Sequence, residues 1–496
     1  MFDKAKAPRR QRVTSRYDVV VHEVTTTSAR LWIGALSPSI AKPINWRLLV
    51  RKMDKGFGDE GEQGEIVNTI EHLADDVWQR PFNKLHKRFY TIEEIESLSP
   101  GQDYQVDFQA RRNGEWIHLE SAFFTTLSTA LSKDKKNPFT VAIGSCFYTK
   151  HDGGRVGQSY EALYKSEKFK PDIKFLAGDQ VYVDIGLGLF PLDQEDCQYR
   201  VADDYAESWS LMRSMLRRGG TWMLPDDHEY WNNYPFLDGF NPYLITLEHD
   251  DEFRGHFEDA CIQAVRNVEQ IKTTRFIDIG TDLSFCVADL RTERSRDHFV
   301  SPGEFAKIID WIGNLTGPGV LVIPQPLIAT KGNKNDSNLP DWDQYEQLLK
   351  AMENANHDTV VLTGDVHYGR VAQVMIGNSD NKLVEVITSP LSNLSEIDGI
   401  AATGPELPET DFPMMDINGI KGNKVEYLGK VTTIDDFWDW RFPKERTTEH
   451  FMTVDFYKSG KNVKMKVHAW NARDFSERTG LPKKINGFNV PEFTLK

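Results

Sequence analysis

The stretch DIKFLAGDQVYVD, residues 172–184, decides the fold of this 496-residue chain. Its first part is a run of apolar residues, the pattern of a strand that is buried on both faces of a sheet. Gly178 then lets the chain turn sharply at the strand end, and Asp179 follows at once. In open α/β sheets, ligands bind beyond the carboxyl ends of the strands. The stretch therefore predicts a buried strand with a functional carboxylate at its end.

Similar apolar runs recur after residue 138. They are FTVAIGSC (139–146), TDLSFCVADLR (281–291), GVLVIPQPL (319–327), TVVLTGDVH (359–367) and LVEVITSP (383–390). Segments compatible with helices lie at 159–168, 204–218, 252–271 and 345–355. HFMTVDFY (450–457) and NVKMKVHAW (462–470) alternate cleanly on either side of KSGK, which predicts a closing hairpin. Alternating strands and helices predict an α/β domain with layered sheets.

The N-terminal part of the chain has a different pattern. Short apolar runs such as ARLWIGA (29–35) and DYQVDFQARR (103–112) are separated by polar turns, which predicts a small, independent β-sandwich. The lysine-rich stretch LSKDKKNP (131–138) is the best domain boundary. The predicted division is a tail at 1–16, a sandwich at 17–130 and an α/β domain at 138–496, with an irregular insertion near 393–449.

The composition excludes several classes of protein. Hydrophobic residues make up 40% of the chain and charged residues 27%, the profile of a soluble globular protein rather than a disordered one. A net charge of -15 argues against nucleic acid as a partner, because phosphate backbones are bound by clustered lysine and arginine. No apolar run is long enough to cross a bilayer, and MFDKAKAPRRQR at the start leads into polar residues. We therefore expect a cytoplasmic protein in preference to a periplasmic or secreted one, with its oligomeric state open.

Metal-capable residues follow the ends of three apolar runs. Cys146 comes after FTVAIGS, Asp179 after DIKFLAG, and Asp365 with His367 after TVVLTG. Singly, each has a structural explanation, since Gly-Asp pairs are common in turns and an isolated cysteine is by default a small buried hydrophobe. Side chains at these strand ends are expected to converge, and buried carboxylates need compensating positive charge. The pattern predicts one site that holds a pair of metal ions.

A fourth cluster, DDHEYWNN (226–233), follows the short run TWMLP. Asp226 alone could cap a helix, but one acceptor is enough for a cap and Asp-Asp-His-Glu offers more. Tyr182 is either an aromatic side chain that lines the site or a phenolate ligand to iron. Arg291 and Arg294 either bind a phosphate oxygen or pair with a nearby acidic residue at the surface. Together with the three strand ends, these residues enlarge the predicted site.

Six motifs resemble, in order and approximate spacing, those of the PhoD-like alkaline phosphatase and phosphodiesterase family. They are GSC (144–146), GDQVYVD (178–184), DDHEYWNN (226–233), DLRTER (289–294), DWDQYEQLL (341–349) and GDVHYGR (364–370). The family belongs to the calcineurin-like metallophosphatases, and the resemblance covers residues 138 to 470. The N-terminal sandwich resembles the fibronectin-like domain that precedes the catalytic domain in these proteins.

The resemblance implies a four-layer sandwich of two mixed β-sheets flanked by helices, with a metal centre at its edge. With the motifs that carry the resemblance, the predicted metal ligands are Cys146, Asp179, Tyr182, Asp226, Asp227, Asn232, Asp365 and His367. The resemblance also implies that Asp179 bridges iron, on the side of Cys146 and Tyr182, and calcium, which prefers carboxylate and amide oxygens. Zinc or manganese are the alternatives. Gln325 stands where related phosphatases often carry a metal-binding histidine, which weakens a dizinc centre.

The predicted function is hydrolysis of a small phosphate monoester or diester through a metal-bound hydroxide. His228 assists departure of the leaving group, and Arg291 or another nearby arginine steadies the phosphoryl group. One alternative is a non-catalytic protein that binds a polyanion or a partner and has a structural metal site, which would be closed to water. Another is a different metallohydrolase such as a nuclease, against which the acidic charge balance speaks.

Overall fold

The computed structural model describes the chain from Arg16 to Lys496 with several gaps. The gaps are 55–63, 74–76, 151, 167, 188–189, 238–241, 333–336, 393–410, 415–416, 418, 432 and 435–445. The predicted tail at 1–16 therefore lies outside the described residues except for Arg16, and so does much of the insertion predicted near 393–449.

Seven strands form two antiparallel sheets in the N-terminal part. They are β1 (Asp18–Val24), β2 (Ala29–Ala35), β3 (Trp46–Lys52), β4 (Glu65–His72), β5 (Phe89–Ile95), β6 (Asp103–Arg112) and β7 (Glu115–Thr125). The strand orders are β1-β2-β5 and β4-β3-β6-β7. Near the start of β6, the hydroxyl of Tyr104 accepts a hydrogen bond from the backbone N–H of Ser99 at 2.8 Å, as in the tyrosine corner of immunoglobulin-type sandwiches. This part is a β-sandwich, as the sequence predicts.

The rest of the chain contains six α-helices and eighteen strands among the described residues. The helices are α1 (Arg155–Tyr164), α2 (Gln194–Leu216), α3 (Pro242–His249), α4 (Asp251–Asn267), α5 (Pro302–Gly313) and α6 (Asp343–Asn354). The strands up to the insertion are β8 (Phe139–Gly144), β9 (Ile173–Ala177), β10 (Gly220–Leu224), β11 (Thr274–Ile279), β12 (Leu283–Ala288), β13 (Gly319–Val322), β14 (Thr359–Thr363), β15 (Arg370–Met375) and β16 (Lys382–Ile387). The later strands are β17 (Asp411–Phe412), β18 (Asn423–Lys424), β19 (Glu426–Lys430), β20 (Thr433–Ile434), β21 (Arg446–Thr447), β22 (His450–Ser459), β23 (Asn462–Phe475), β24 (Pro482–Lys484) and β25 (Phe493–Leu495).

Two seven-stranded mixed sheets are built from these strands. The first has the order β10-β9-β8-β22-β23-β24, with β25 also paired to β23, and the second has the order β11-β12-β13-β14-β16-β15-β19. Strands β8, β9 and β10 are parallel, as are β12, β13, β14 and β16. The predicted closing hairpin is β22 with β23, and β22 adds to β8 in antiparallel orientation.

Alternate residues of each central strand face opposite layers. Between the sheets, the ring centroid of Phe175 in β9 lies 5.7 Å from that of Phe285 in β12. The next residue, Leu176, packs in the cluster that contains α1 and α2, whereas Leu321 of β13 packs with α5 and α6. Strands buried on both faces explain the continuous apolar runs in the sequence. The result is a helix, sheet, sheet, helix sandwich, which agrees with the predicted layers.

Helices α1, α2, α4, α5 and α6 each bury one face against the rest of the protein. The longest described helix, α2, buries Val201, Tyr205, Trp209 and Met212, which recur at three- and four-residue spacing. Within the described ranges, no helix combines the length and the apolar character that crossing a membrane requires.

The outer face of the N-terminal sandwich packs against helices of the α/β part. Leu31 and Ile33 of β2 point into the sandwich core, but Trp32 between them points outward and is fully buried. Its indole N–H donates to the carbonyl oxygen of Asn267 at the end of α4 at 2.9 Å, and its ring centroid lies 5.1 Å from that of Trp209 in α2. The helices therefore complete the burial of the outer face of the three-stranded sheet.

Glu120 of β7 joins the sandwich to α2, and its removal is expected to destabilise the protein. The side chain is 7% exposed and pairs with Arg213 and with Arg217, whose Nη1 lies 2.6 Å from Oε1 of Glu120. Glu120→Gln removes the carboxylate that these two largely buried arginines share, and Arg217 keeps a longer contact with Glu161 at 3.9 Å, so we expect the free energy of unfolding to fall by about 3 kcal/mol. Urea denaturation followed by tryptophan fluorescence measures this. Asp251→Asn, in an exposed ion pair with Arg254, is the control and should have no measurable effect.

Candidate metal centre

Four loops converge at the carboxyl ends of the central strands. They follow β8, β9 and β10 of the first sheet and β14 of the second, and they begin at residues 145, 178, 225 and 364. The close approach of the loops requires glycine at two positions. A Cβ on Gly178, which has a φ of 96°, would lie 2.6 Å from Cβ of Asp226, and one on Gly364 would lie 2.2 Å from Oγ of Ser145. These two glycines let the acidic motifs of both sheets meet at one edge.

Four of the predicted ligands have left-handed backbone conformations. The φ angles are 55° for Cys146, 57° for Asp179, 67° for Asp365 and 54° for His367. Such conformations cost free energy in residues with a side chain, and they cluster at functional sites because the surrounding structure holds them there. Here they direct side chains from the ends of β8, β9 and β14 toward the same space.

Asp179 is common to three groups of side chains that can hold a metal ion. The groups are Cys146, Asp179 and His367; Asp179, Asp227 and His228; and Asp179, Asp226, Asp227 and Asp365. Within each group the ligand atoms lie within 4.8 Å of one another. A carboxylate shared in this way has the position of a bridge between two cations.

Thiol, phenol and imidazole groups that can bind a metal ion lie on one side of Asp179. The Sγ of Cys146 lies 3.4 Å from Oδ2 of Asp179, and the hydroxyl of Tyr182 lies 3.4 Å from the same oxygen. The Tyr182 hydroxyl also lies 3.3 Å from Nε2 of His367. Burial, aided by neighbouring carboxylates, raises the pKa of the Cys146 thiol well above its usual value. A bound cation is what would deprotonate this thiol.

On the other side of Asp179, the groups that can bind a metal ion are mainly carboxylates. Asp227 accepts a hydrogen bond from the backbone N–H of Asn233 at 2.7 Å. Burial by itself would raise the pKa of Asp227, but the charges of His228 and Arg291 outweigh it and lower this pKa below its usual value. Asp227 is therefore ionised and available as an oxygen ligand.

Arg291 is buried against Asp226. Its Nε donates to Oδ1 of Asp226 at 2.5 Å, and its Nη1 donates to the carbonyl oxygen of Tyr234 at 3.0 Å. The second carboxylate oxygen of Asp226, Oδ2, is buried and has no hydrogen-bond partner among the described residues. Arg291 thus forms an internal ion pair rather than the surface pair that the sequence suggested as its alternative.

Arg294 connects to the site through Gln325. The Nη2 of Arg294 donates to Oε1 of Gln325 at 2.7 Å, and Nε2 of Gln325 donates to Oδ2 of Asp365 at 3.2 Å. The guanidinium lies 4.8 Å from the ring centroid of Trp342. Burial and the charge of Arg291 lower the pKa of Arg294 to about 9. Gln325 therefore orients Asp365 by a hydrogen bond.

His228 forms a dyad with Asp184, a residue that was not predicted to belong to the site. Nδ1 of His228 lies 2.9 Å and 3.0 Å from the two carboxylate oxygens of Asp184. Burial alone would lower the pKa of His228, but the carboxylates of Asp184, Asp227 and Asp179 raise it well above its usual value. Asn232 donates its backbone N–H to Asp184 at 3.0 Å, so this predicted ligand lies beside the dyad. The position of Asp184 inside the motif GDQVYVD was the signal that could have identified it.

The buried carboxylates at the site outnumber the positively charged side chains that could neutralise them. Burial raises the pKa of Asp179 well above its usual range; the charge of His228 opposes this increase, and those of Asp227 and Asp226 add to it. Arg291 and Arg294 are the buried arginines nearby, and both already have acceptors. Buried charge of one sign requires compensation, which one or two metal cations would provide. The thiol, phenol, imidazole and carboxylate donors present here fit such ions.

Comparison with known proteins identifies the architecture. No protein-family model matches the chain, and comparison with curated proteins finds no match. A solved structure of PhoD matches 98% of this chain and 94% of its own, with 16% sequence identity and a TM-score of 0.57. This chain has the PhoD fold. A solved fibronectin type III domain of a human protein matches 27% of this chain and 93% of its own, with 17% identity and a TM-score of 0.16, which is too low to assign the family of the sandwich.

Proposed function

We propose that this chain is a metal-dependent phosphoesterase of the PhoD-like phosphatase and phosphodiesterase type, which hydrolyses small phosphate monoesters or diesters. The observation that carries the proposal is the position of Asp179 in three overlapping ligand groups, with the His228–Asp184 dyad directly beside them. The PhoD fold and the order of the motifs support it. The accompanying division is a sandwich at 17–130 and a catalytic domain at 138–496.

The donor chemistry supports the proposal of a different ion on each side of Asp179. Cys146, Tyr182 and His367 would hold iron, because thiolate, phenolate and imidazole suit it. Asp226, Asp227 and Asp365 would hold calcium, a cation that prefers oxygen ligands. Zinc or manganese are the alternatives at either position. When bound, such cations lower the pKa of a water molecule and neutralise charge on the phosphoryl oxygens.

The residues around the ligands have separate tasks in hydrolysis. The carboxylate of Asp184 accepts a hydrogen bond from the Nδ1–H group of His228, which leaves Nε2 as the nitrogen available to the substrate. From Nε2, His228 donates a proton to the leaving oxygen as the bond to phosphorus breaks. Arg291 holds Asp226 in place and contributes positive charge next to the phosphoryl group.

Metal removal and restoration test the proposal. The chelated protein should lose turnover of chromogenic phosphate monoesters and diesters, because its buried carboxylates then lack their cations. Turnover should return with iron and calcium, or with Mn²⁺ or Zn²⁺, and elemental analysis of the purified protein should find a metal pair. Tight metal binding without hydrolysis of any of these esters would refute the phosphoesterase proposal and favour a structural metal site.

A further inference from the structure

Glu229 is a fully buried carboxylate next to His228 that has no part in the mechanism above. It ends the single turn of 3-10 helix Asp227–Glu229, and its side chain accepts a hydrogen bond from the backbone N–H of Asp226 at 2.8 Å. That bond alone is an ordinary capping box, which closes one turn of its own loop. Capping accounts for only this contact.

Two further backbone groups from the neighbouring loop donate to the same carboxylate. The N–H of Asp179 donates to Oε2 of Glu229 at 3.0 Å, and the N–H of Val181 donates to Oε1 at 3.0 Å. Glu229 therefore fastens the loop after β9 to the loop after β10. The first of these loops carries Asp179, Tyr182 and Asp184, and the second carries Asp226, Asp227 and His228.

The contact with Asp179 matters most, because this residue has a left-handed backbone with a φ of 57°. An unfavourable backbone conformation persists only where its surroundings hold it, and the N–H bond to Glu229 is one such restraint. The direction of the Asp179 side chain follows from its backbone. A change at Glu229 would therefore move the carboxylate that all three ligand groups share.

We infer that Glu229 is a positioning residue. It sets the geometry of the metal pair by holding the two ligand loops in a fixed position relative to each other. It acts through the backbones of Asp179 and Asp226 and binds no metal itself. The inference rests on the proposed function for its role in hydrolysis, but its effect on metal binding can be measured without any substrate.

The test compares Glu229→Gln with Glu269→Gln. Glutamine has one carbonyl oxygen in place of two carboxylate oxygens, so its amide NH₂ must face at least one of the three N–H donors. Glu269 is equally buried, and its side chain accepts a hydrogen bond from the hydroxyl of Tyr205 at 2.8 Å, so it controls for the loss of a buried charge. Calorimetric titration of the chelated proteins with Mn²⁺ and with Ca²⁺ gives affinity and stoichiometry.

We expect Glu229→Gln to bind these ions about 10- to 100-fold more weakly, the usual effect of losing a residue that orients metal ligands. Glu269→Gln should bind them as the wild-type protein does. Wild-type affinity and stoichiometry in Glu229→Gln would overturn the inference. If Glu229→Gln does not fold, Glu229→Asp replaces it; the shorter carboxylate cannot reach both loops, and wild-type affinity there would equally overturn the inference. Wild-type protein that binds the ions but cleaves no ester refutes the proposed function alone.

Discussion

Asp179→Asn is expected to lose both metal ions and to lower phosphoesterase activity by about 10⁴-fold or more, the scale seen when a central catalytic group is removed. The asparagine side chain has the same size but lacks the second anionic oxygen that a bridging ligand needs. Because Asp179 belongs to all three ligand groups, its loss affects the thiolate side and the carboxylate side together. Activity assays combined with elemental analysis measure both losses.

The same variant should be more stable than the wild-type protein in the absence of metal. Asp179 lies among Asp226, Asp227 and Asp365, and removing one of these acidic groups relieves repulsion that His228 and Arg291 compensate only in part. Added metal should raise the Tm of the wild-type protein, since it binds the folded state, and should leave the Tm of Asp179→Asn almost unchanged. An equal metal-induced increase in both proteins would contradict the bridging role of Asp179.

Asp172→Asn is the matched control for Asp179→Asn. Asp172 precedes β9, at the opposite end of the strand from Asp179, and accepts a hydrogen bond from the backbone N–H of Thr140 at 2.7 Å. Asparagine can accept that bond through its amide oxygen. Metal content and activity should therefore stay at wild-type levels.

The layers of the fold were predictable because burial on both faces leaves a simple signal. Runs such as DIKFLAG and TVVLTG became β9 and β14, and the hairpin at 450–470 became β22 and β23. Helix α5 was not predicted, although PGEFAKIIDWIG buries Phe305, Ile308 and Ile312 at helical spacing. The edge strand β11 was also missed, because its burial alternates and no apolar run marks it.

The members of the site were more predictable than their contacts. Asp179, Asp365 and His367 could be selected because functional side chains follow buried strands. The partners of Arg291 could not be predicted, because its contact with Asp226 joins residues that are 65 positions apart in the sequence. Glu229 was overlooked for a related reason: in sequence it is one more acidic residue of DDHE, and its bonds to the loop of Asp179 exist only after β9 and β10 lie side by side.

His228→Gln is expected to lower kcat by about 10²- to 10⁴-fold for esters of poor leaving groups, the range attributed to general acid catalysis. Alkyl phosphates need a proton on the departing oxygen, whereas 4-nitrophenolate leaves readily without one. The loss should therefore be much smaller with a 4-nitrophenyl ester. Asp184→Asn should show the same dependence on the leaving group, since Asp184 orients the ring of His228 through Nδ1.

Metal content distinguishes this role from that of a ligand. His228 lies within one of the ligand groups, together with Asp179 and Asp227, so a structural effect would appear as loss of metal. If His228 is the acid that donates a proton from Nε2, we expect His228→Gln to keep its full metal content. Its loss of rate should then be confined to esters with poor leaving groups. His468→Gln is the control, because His468 also pairs with an aspartate, Asp455 at 3.2 Å, on the hairpin of β22 and β23. A uniform loss of rate for all esters, accompanied by loss of metal, would assign His228 to the metal centre instead of to the leaving group.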